Sequence, residues 1–397
     1  MAPSPTGEYH IGHMRTVLYN YAWAKKNRGQ FVLRIEDTDR ERFVEGATDR
    51  ILDVIKDYGL SWDEGPRVGG PFAPYFQSQR LEIYQKYARE LVDKKSAYYC
   101  FCTKERLEDL RKKAHGENRI PKYDRHCLDL SPSEIEKKLK SEPYVIRLKV
   151  PDDEQIVFTD EVMGEIKINS SAMDDQVLLK SDGFPTYHLA VVVDDHLMEI
   201  TDIIRGNEWI SSTPKHVLLY RAFGWDIPRI AHLPVFLDPS GEGKMSKRKG
   251  SVSARSFLEA GYLPEAINNY LILLGWNPGT DRELFTLSEF VEEFDIKKIN
   301  KSNPRFTYEK LDWFNQHYIR AASSQELGAR LEKFTKRSPD EIAKVLPLIK
   351  ERLVTLTDFD ELTTYFFDEP AIDKEKFVKV EPIAKKVLNH ATEILKE

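Results

Sequence analysis

The chain has 397 residues, of which 41% are hydrophobic and 31% are charged, and this composition excludes collagen-like, low-complexity and disordered proteins. At the usual domain size of about 100 to 200 residues, we expect two to four domains. The formal net charge of −6 argues, taken alone, against a protein that binds polyanions over its whole surface. No apolar run approaches the roughly 18 residues of a membrane span, and no secretory signal pattern begins the chain, so we expect a cytoplasmic protein with no membrane partner.

Helices and strands are predicted to alternate through the first two thirds of the chain. In order, the patterns predict a turn at 2–7, helices within 13–29 and at 44–58, 82–94, 104–113 and 214–223, and strands at 30–35, within 144–168, at 190–193 and at 200–204. The strand-rich stretch 144–168, with a hairpin turn at Met163 and Gly164, differs in character from its surroundings. We therefore expect an α/β fold whose parallel sheet is interrupted by an inserted unit. Beyond residue 255 the pattern is helical, as at 264–274 and 287–294.

Two imidazoles and a glycine occupy the start of the first predicted helix. His10 and His13 flank Gly12, a residue that lets a ligand approach the backbone. The free N–H groups and positive dipole of a helix N-terminus favour phosphate, so the pattern predicts a nucleotide-phosphate site. An isolated His-x-x-His is more often a pair of surface histidines, and the prediction therefore depends on a second element.

That second element is a cationic run in a glycine-bounded loop. Lys244, Lys247, Arg248 and Lys249 lie within six residues of one another and repel each other unless an anion binds. Lysines also suit the changing charge of a reacting polyphosphate. Most charge runs are solvated turns, but the presence of both elements in one chain favours the phosphate site.

Several segments carry a family signal. In chain order they are Pro3-Ser4-Pro5-Thr6-Gly7, His10-Ile11-Gly12-His13, Arg34-Ile35-Glu36-Asp37-Thr38-Asp39-Arg40, Gly183-Phe184-Pro185-Thr186-Tyr187-His188, Val193-Asp194-Asp195-His196 and Lys244-Met245-Ser246-Lys247-Arg248. Together they strongly resemble the bacterial glutamyl-tRNA synthetases, a class I aminoacyl-tRNA synthetase family. The resemblance runs over almost the whole chain. It implies a Rossmann-like catalytic domain that is split by an insertion and followed by helical domains.

The resemblance implies domain boundaries that we state as expectations. They are a first catalytic half at 1–95, an α+β acceptor-binding insertion with a candidate zinc knob at 96–189, a second catalytic half at 190–254, a helical stem-contact domain at 255–320 and an incomplete, all-α anticodon-binding domain at 321–397. Family members usually have an arginine upstream of Ala2 and often extend beyond residue 397. We therefore expect a chain that is trimmed at both ends.

A two-step reaction is also implied. Glutamate attacks the α-phosphate of ATP to give glutamyl adenylate and pyrophosphate, and a terminal ribose hydroxyl of tRNA-Glu then takes the glutamyl group and releases AMP. No side chain forms a covalent intermediate, so catalysis consists of positioning and charge stabilisation. The family pattern assigns catalysis to His10, Gly12, His13, Lys244 and Lys247, ATP binding to His10, His13, Lys244, Ser246 and Lys247 with Mg²⁺, and glutamate binding to Ser4, Glu36, Tyr187 and Arg205.

In this assignment Glu36 suits the α-ammonium of L-glutamate, and Arg205 suits a bidentate grip on a carboxylate. Taken without the family pattern, each is equally well an exposed surface residue. The family also implies a monomer. A basic cluster of Lys297, Lys298, Lys301, Arg305 and Lys310 is a candidate tRNA contact, with a solvated helix face as the alternative.

The three cysteines lie close together in the sequence, which is unlike a secreted disulfide scaffold. Cys100, Cys102 and Cys127 resemble the zinc knob of some family members, and a tetrahedral Zn²⁺ needs a fourth ligand. Nearby candidates are Asp129, Tyr123 and His126, of which the family spacing favours Asp129. Three thiols without metal are the alternative.

Three other functions are alternatives to this family. A shorter relative transfers glutamate to queuosine in tRNA but lacks the anticodon domain, whereas this chain continues well beyond Arg320. A glutaminyl enzyme typically has a different opening motif. A non-catalytic tRNA-binding paralogue or fragment is opposed by the intact histidines and lysines of the two signature elements.

Overall fold

The computed structural model of the chain describes residues 1–240, 243, 245, 252–368 and 385–392. The chain divides into two compact units, Met1–Phe314 and Asn315–Glu397, and each is described by itself. Within the described ranges, none of the helices combines the length and the apolarity that a bilayer crossing requires.

The first unit combines helices with two small sheets. Its helices are α1 (Ile11–Lys26), α2 (Ala47–Asp57), α3 (Leu81–Asp93), α4 (Lys104–Gly116), α5 (Pro132–Leu139), α6 (Tyr187–Leu197), α7 (Thr213–Phe223), α8 (Ala254–Glu259), α9 (Pro264–Leu273) and α10 (Leu287–Glu293). Its strands are β1 (Ala97–Cys100), β2 (Val145–Leu148), β3 (Gln155–Asp160), β4 (Gly164–Asn169), β5 (Val177–Leu179), β6 (Asp202–Gly206) and β7 (Arg229–Leu233). The mixture agrees with the predicted α/β class.

One sheet is antiparallel and the other is mixed. The first has the order β1-β2-β5, and the second has the order β4-β3-β7-β6. In the second sheet β3 and β4 form an antiparallel hairpin, while β3 and β6 both run parallel to β7. The carboxyl ends of β3, β6 and β7 therefore meet at one edge, which is where open α/β sheets place their ligands.

Apolar side chains from α3, α6, α7 and both sheets form the core next to this edge. Members include Tyr84, Ile146, Phe158, Val192 and Leu219, all of them buried. Helix ends follow local rules, since Pro214 lies in the first turn of α7 and Gly224 ends that helix with a φ of 79°. The predicted helix at 214–223 is thus confirmed with its ends.

Two strand predictions differ from the structure. Residues 190–193 were expected to form a strand but lie inside α6, so that prediction is wrong. All residues from 189 to 195 are buried, and a continuous apolar run that is buried on every side carries no period that separates helix from strand. Residues 30–35 are extended, but they form only isolated parallel bridges, at Val32 with Glu64 and at Ile35 with Phe76.

The second unit is helical wherever the structure describes it. It contains α12 (Ser324–Leu331), α13 (Pro339–Ile349) and α14 (Asp358–Phe367), α11 (Tyr308–Ala321) includes the boundary between the units, and residues 385–392 are also helical. Leu327, Leu331, Ile342, Leu346 and Phe359 are buried within this unit. The predicted domain boundaries at 95, 189, 254 and 320 stay predictions.

Candidate active site

A cleft of about 1250 Å³ opens in the first unit, between the start of α1 and the carboxyl ends of β6 and β7. Seven residues that the sequence assigned to the site line it: Ser4, His10, Gly12, His13, Glu36, Tyr187 and Arg205. Segments far apart in the chain thus meet around one cavity. Lys244, Ser246 and Lys247 lie outside the described residues, although Met245 between them lines the cleft.

His10 caps the N-terminus of α1. Its Nδ1 accepts the backbone N–H of Gly12 at 2.9 Å, and a Cβ added at Gly12 would lie 3.2 Å from the same nitrogen. The glycine therefore lets the His10 ring fold over the first helical turn. The ring of His13 lies 5.9 Å from that of His10 and 5.2 Å from that of Tyr9. Two imidazoles and a helix N-terminus together make a surface suited to phosphate.

The described residues on either side of the cationic run are hydrogen-bonded to this turn or to the cleft wall. The N–H of Ile11 donates to the carbonyl of Val252 at 2.8 Å, and the N–H of Ala254 donates to Tyr9 at 2.7 Å. The N–H of Met245 donates to the carbonyl of Phe236, a residue of the cleft wall, at 2.9 Å. Met245, Val252 and Ala254 are thus anchored at the cleft.

Glu36 lies in a buried network of ions. The guanidinium of Arg34 lies 3.3 Å from Glu36, 2.8 Å from Asp195 and 3.6 Å from Asp194. Burial raises the pKa of Glu36 to about 7, because the favourable charge of Arg34 is shared with two other carboxylates. Arg34 and Glu36 are two residues apart in an extended segment, so their side chains point the same way.

Arg205 has a different environment, because its partners are neutral. Nε donates to Nε2 of His232 at 3.1 Å, and Nη2 donates to the hydroxyl of Thr213 at 2.9 Å. Nη1 lies 3.2 Å from the hydroxyl of Tyr187 and 3.3 Å from Nδ1 of His216. Within the described part of the chain, none of the acceptors of Arg205 is a carboxylate. None of these acceptors neutralises the cation, so an anionic ligand can pair with it directly.

Sequence reasoning missed the residues that hold Arg205. His232 lies directly opposite Arg205 in the β6–β7 register, and Thr213 and His216 lie on α7. None of them belongs to a motif, and their separations from Arg205 in sequence, 27, 8 and 11 residues, follow no simple period. The rule that ligands bind at the carboxyl ends of parallel strands is the signal that could have indicated this region.

The cysteines are close enough to share one ion. The Sγ atoms of Cys100, Cys102 and Cys127 all lie within 4.8 Å of one another. The hydroxyl of Tyr123 lies 3.3 Å from both Cys100 and Cys102. The structure does not bring Asp129 to them: its side chain is exposed and lies outside the cluster. The geometry thus favours the hydroxyl of Tyr123 over the predicted Asp129 as the fourth ligand of a metal ion held by the three thiols.

Most of the basic cluster is engaged within the protein. The Nζ of Lys298 and the Nζ of Lys301 donate to backbone carbonyls at 2.6 and 3.3 Å, and Arg305 donates to another carbonyl at 2.5 Å. Lys310 forms an ion pair with Glu283 at 2.7 Å. These contacts favour a structural role for the cluster.

Comparison with known proteins decides the family. The model described as "tRNA synthetases class I (E and Q), catalytic domain" matches residues 1–313. The glutamate–tRNA ligase of Clostridium kluyveri is 47% identical over 381 residues, covering 95% of this chain and 78% of that protein. The chain belongs to the glutamate–tRNA ligase family. The ligase of Treponema denticola is 45% identical and covers 99% of this chain and 85% of the relative.

Structures of the family agree with this membership. A glutamate tRNA ligase from Elizabethkingia meningosepticum, solved in complex with its amino acid, has a TM-score of 0.90 and 38% identity, covering 98% of this chain and 83% of that one. A model described as "Anticodon binding domain" matches residues 321–397. The predicted order of a class I catalytic domain followed by a helical anticodon-binding domain is thus confirmed. The anticodon domain also separates the chain from the shorter queuosine-modifying relative.

Proposed function

We propose that the cleft activates L-glutamate with ATP and passes the glutamyl group to the 3′ end of tRNA-Glu. The observation that carries this assignment is the meeting of seven assigned residues around one cavity, with a cation at Arg205 and an ionisable carboxyl at Glu36. An α-amino acid with an acidic side chain has complementary charges. The role in translation makes the cytoplasm the proposed location. The resemblance to the family makes a monomer the proposed oligomeric state.

Glutamate binding divides between the two charged residues. Arg205 offers its positive charge, and the N–H that its contacts with His232, Tyr187, His216 and Thr213 leave over, to a carboxylate of the substrate. Ionised Glu36 pairs with the α-ammonium, and Ser4 lies on the same cleft wall. This arrangement holds the reacting carboxylate in a fixed orientation, which removes an entropic cost from its attack on phosphorus.

ATP binding belongs to the α1 end of the cleft. His10, His13 and the N–H groups at the start of α1 contact the phosphates, and Gly12 leaves room for the nucleotide. Lys244 and Lys247, with Ser246, hold the charge that moves onto pyrophosphate as the α-phosphate is attacked. Mg²⁺ bound with ATP would neutralise part of the phosphate charge.

The glutamyl group then moves from the adenylate to RNA. A ribose hydroxyl at the 3′ end of the tRNA attacks the carbonyl carbon, the bond to the phosphate oxygen breaks, and AMP leaves. We assign the acceptor end to the insertion at 96–189, the stem to 255–320 and the anticodon to 321–397, in agreement with the anticodon-binding match.

The direct test is glutamylation of purified tRNA-Glu and tRNA-Gln transcripts with ATP and labelled glutamate. The expected result is charging of tRNA-Glu. The matched inactive control is Lys247→Ala, which should cut kcat by about 100- to 1000-fold, as expected for the loss of one transition-state donor. Failure to charge either transcript, by a folded chain that also gives no glutamate-dependent release of pyrophosphate, would contradict the proposal.

Zinc is a separate proposal about the insertion. Three thiols within 4.8 Å of one another form a donor set that suits a structural Zn²⁺, with the Tyr123 hydroxyl as fourth donor. Freshly purified, unchelated protein should contain about one zinc per chain. Tyr123→Phe should weaken zinc retention against a chelator, whereas Asp129→Asn should not. Protein without zinc would leave three unmetallated thiols.

A further inference from the structure

Asp160, at the carboxyl end of β3, is only 1% exposed, and hydrogen bonds surround its carboxylate. One oxygen accepts the backbone N–H groups of Val162 and Met163 at 3.0 and 2.8 Å. The other lies 2.6 Å from Nδ1 of His232 and accepts the backbone N–H of His232 at 3.1 Å. Burial raises the pKa of Asp160, but the hydrogen bonds from His232 and the backbone outweigh it and lower the pKa overall. An ionised acceptor requires that Nδ1 of His232 carries a proton.

The proton on Nδ1 determines whether Nε2, on the other side of the His232 ring, can accept a hydrogen bond. A neutral imidazole with Nδ1–H has a lone pair on Nε2. That nitrogen lies 3.1 Å from Nε of Arg205, which can only donate. Burial lowers the pKa of His232, so the ring stays neutral. The sequence of contacts from Asp160 through His232 to Arg205 therefore has one consistent set of proton positions.

A second imidazole repeats the arrangement on the other side of the guanidinium. Nδ1 of His216 lies 3.3 Å from Nη1 of Arg205 and must accept. Nε2 of His216 then carries the proton and donates to Nδ1 of His188 at 3.0 Å. Burial lowers the pKa of both rings, to about 4 for His188. Arg205 is thus oriented by two neutral rings and receives no negative charge directly.

We propose that Asp160 and His232 are positioning residues for glutamate: Asp160 holds His232 in the tautomer that orients Arg205 while leaving the charge of Arg205 free for the substrate. A carboxylate placed directly on the guanidinium would compete with the substrate carboxylate for the positive charge of Arg205. The imidazole of His232 is oriented by Asp160 and in turn orients Arg205, and it keeps the carboxylate of Asp160 one ring away from the guanidinium. The inference rests on the proposed role of Arg205 in binding glutamate.

Asp160→Asn tests the tautomer with little change in shape. The amide oxygen can still accept from Val162 and Met163, but the amide NH₂ then faces Nδ1 of His232 and can no longer accept the backbone N–H of His232. Nδ1 then accepts, the proton moves to Nε2, and two donors oppose each other between His232 and Arg205. The expected result is a KM for glutamate about tenfold higher, with kcat and the KM for ATP within about twofold, because only the bound amino acid depends on Arg205. A folded variant with an unchanged KM for glutamate overturns the proposal.

Asp175→Asn is the matched control. Asp175 is 2% exposed and accepts hydrogen bonds from Tyr98 and Arg125 at 2.7 and 2.9 Å, so its loss also removes a buried carboxylate. Among the residues that the structure describes, Asp175 has no imidazole partner and makes no contact with Arg205. The KM for glutamate should not change in this variant. An equal rise in both variants would mean that the effect is general destabilisation, and it would overturn the role of Asp160.

Nitrogen-15 NMR of labelled histidine reads the tautomer without any activity assay. His232→Phe identifies the ring signals by their disappearance. We expect protonated Nδ1 and unprotonated Nε2 in the unaltered protein, and the reverse in Asp160→Asn. Protonated Nε2 in the unaltered protein would overturn the inference. A protein that has the expected tautomer but does not glutamylate tRNA would instead contradict the proposed function, so the two failures are distinguishable.

Discussion

The two charged ends of the glutamate cleft have opposite surroundings. At one end the guanidinium of Arg34 contacts three carboxylates, those of Glu36, Asp194 and Asp195. At the other end Arg205 donates to uncharged side chains, namely Tyr187, Thr213, His216 and His232. Counting Arg80, which pairs with Asp194 at 2.7 Å, the first network has three carboxylates and two guanidinium groups, whereas the second has one cation with uncharged partners.

The contrast separates stability from recognition. A buried ion network is costly to break, because the remaining charges lose their partners in a poorly solvated site. Removing a cation that has neutral partners at the wall of an open cleft costs free energy mainly in the ligand-bound state, because the bound ligand supplies the opposite charge. We therefore expect changes at Arg34 to act on folding and changes at Arg205 to act on the KM for glutamate.

Arg34→Met should give the largest effect on stability. Removing the shared cation takes away the cationic partner of Glu36 and Asp195, while Asp194 keeps its ion pair with Arg80 at 2.7 Å. Two buried carboxylates that lose their cation should lower the free energy of unfolding by about 3 to 5 kcal/mol. Urea denaturation followed by tryptophan fluorescence measures this loss. The comparison sharpens if Arg205→Met, measured in the same way, loses only about 1 to 2 kcal/mol. Equal losses would break the distinction between the two ends.

Arg205→Ala should give the largest effect on substrate binding. Loss of a charged hydrogen-bond partner for a bound carboxylate costs about 2 to 5 kcal/mol, so the KM for glutamate should rise by about 100-fold or more. The KM for ATP should stay within about threefold, since the α1 end is unchanged. Arg205→Lys should recover little, because a point charge cannot replace the planar fork. An unchanged KM for glutamate would remove Arg205 from the pocket.

Glu36 should make glutamate use depend on pH. Burial raises the pKa of this carboxyl to about 7 in the free protein, so it is increasingly protonated below that pH. Only the ionised form pairs with the α-ammonium, and kcat/KM for glutamate should therefore fall by about tenfold for each pH unit below 7. Glu36→Gln should lower kcat/KM at neutral pH and flatten this profile. A variant profile that is as steep as the original would assign the titration to another group.

Motif positions could be predicted from the sequence, but the partners of those motifs could not. Ser4, His10 and Glu36 were assigned from segments with a strong family pattern and Arg205 from the wider family resemblance, and the structure brings them to one cleft. His232 contacts Asp160 across 72 residues of sequence, a distance over which no local pattern acts.

Local structure was predictable where one side of an element faces solvent. The hairpin turn at Met163 and Gly164 was predictable because the side chains of β3 alternate between buried and exposed. The helix end at Gly224 was predictable because glycine readily adopts the positive φ that this position requires. Residues 190–193 failed because every side chain there is buried, which removes the periodic signal. Packing against the core, and not strand propensity, decides that segment.

Inhibition by glutarate, which has both carboxylates of glutamate but no ammonium group, tests the division of the cleft most directly. The inhibition constant is measured against glutamate in tRNA-Glu charging for the unaltered chain, Glu36→Gln and Arg205→Ala. The account predicts that Arg205→Ala weakens glutarate as strongly as it weakens glutamate, while Glu36→Gln weakens glutamate alone. Loss of glutarate binding in Glu36→Gln, or its retention in Arg205→Ala, would contradict the account.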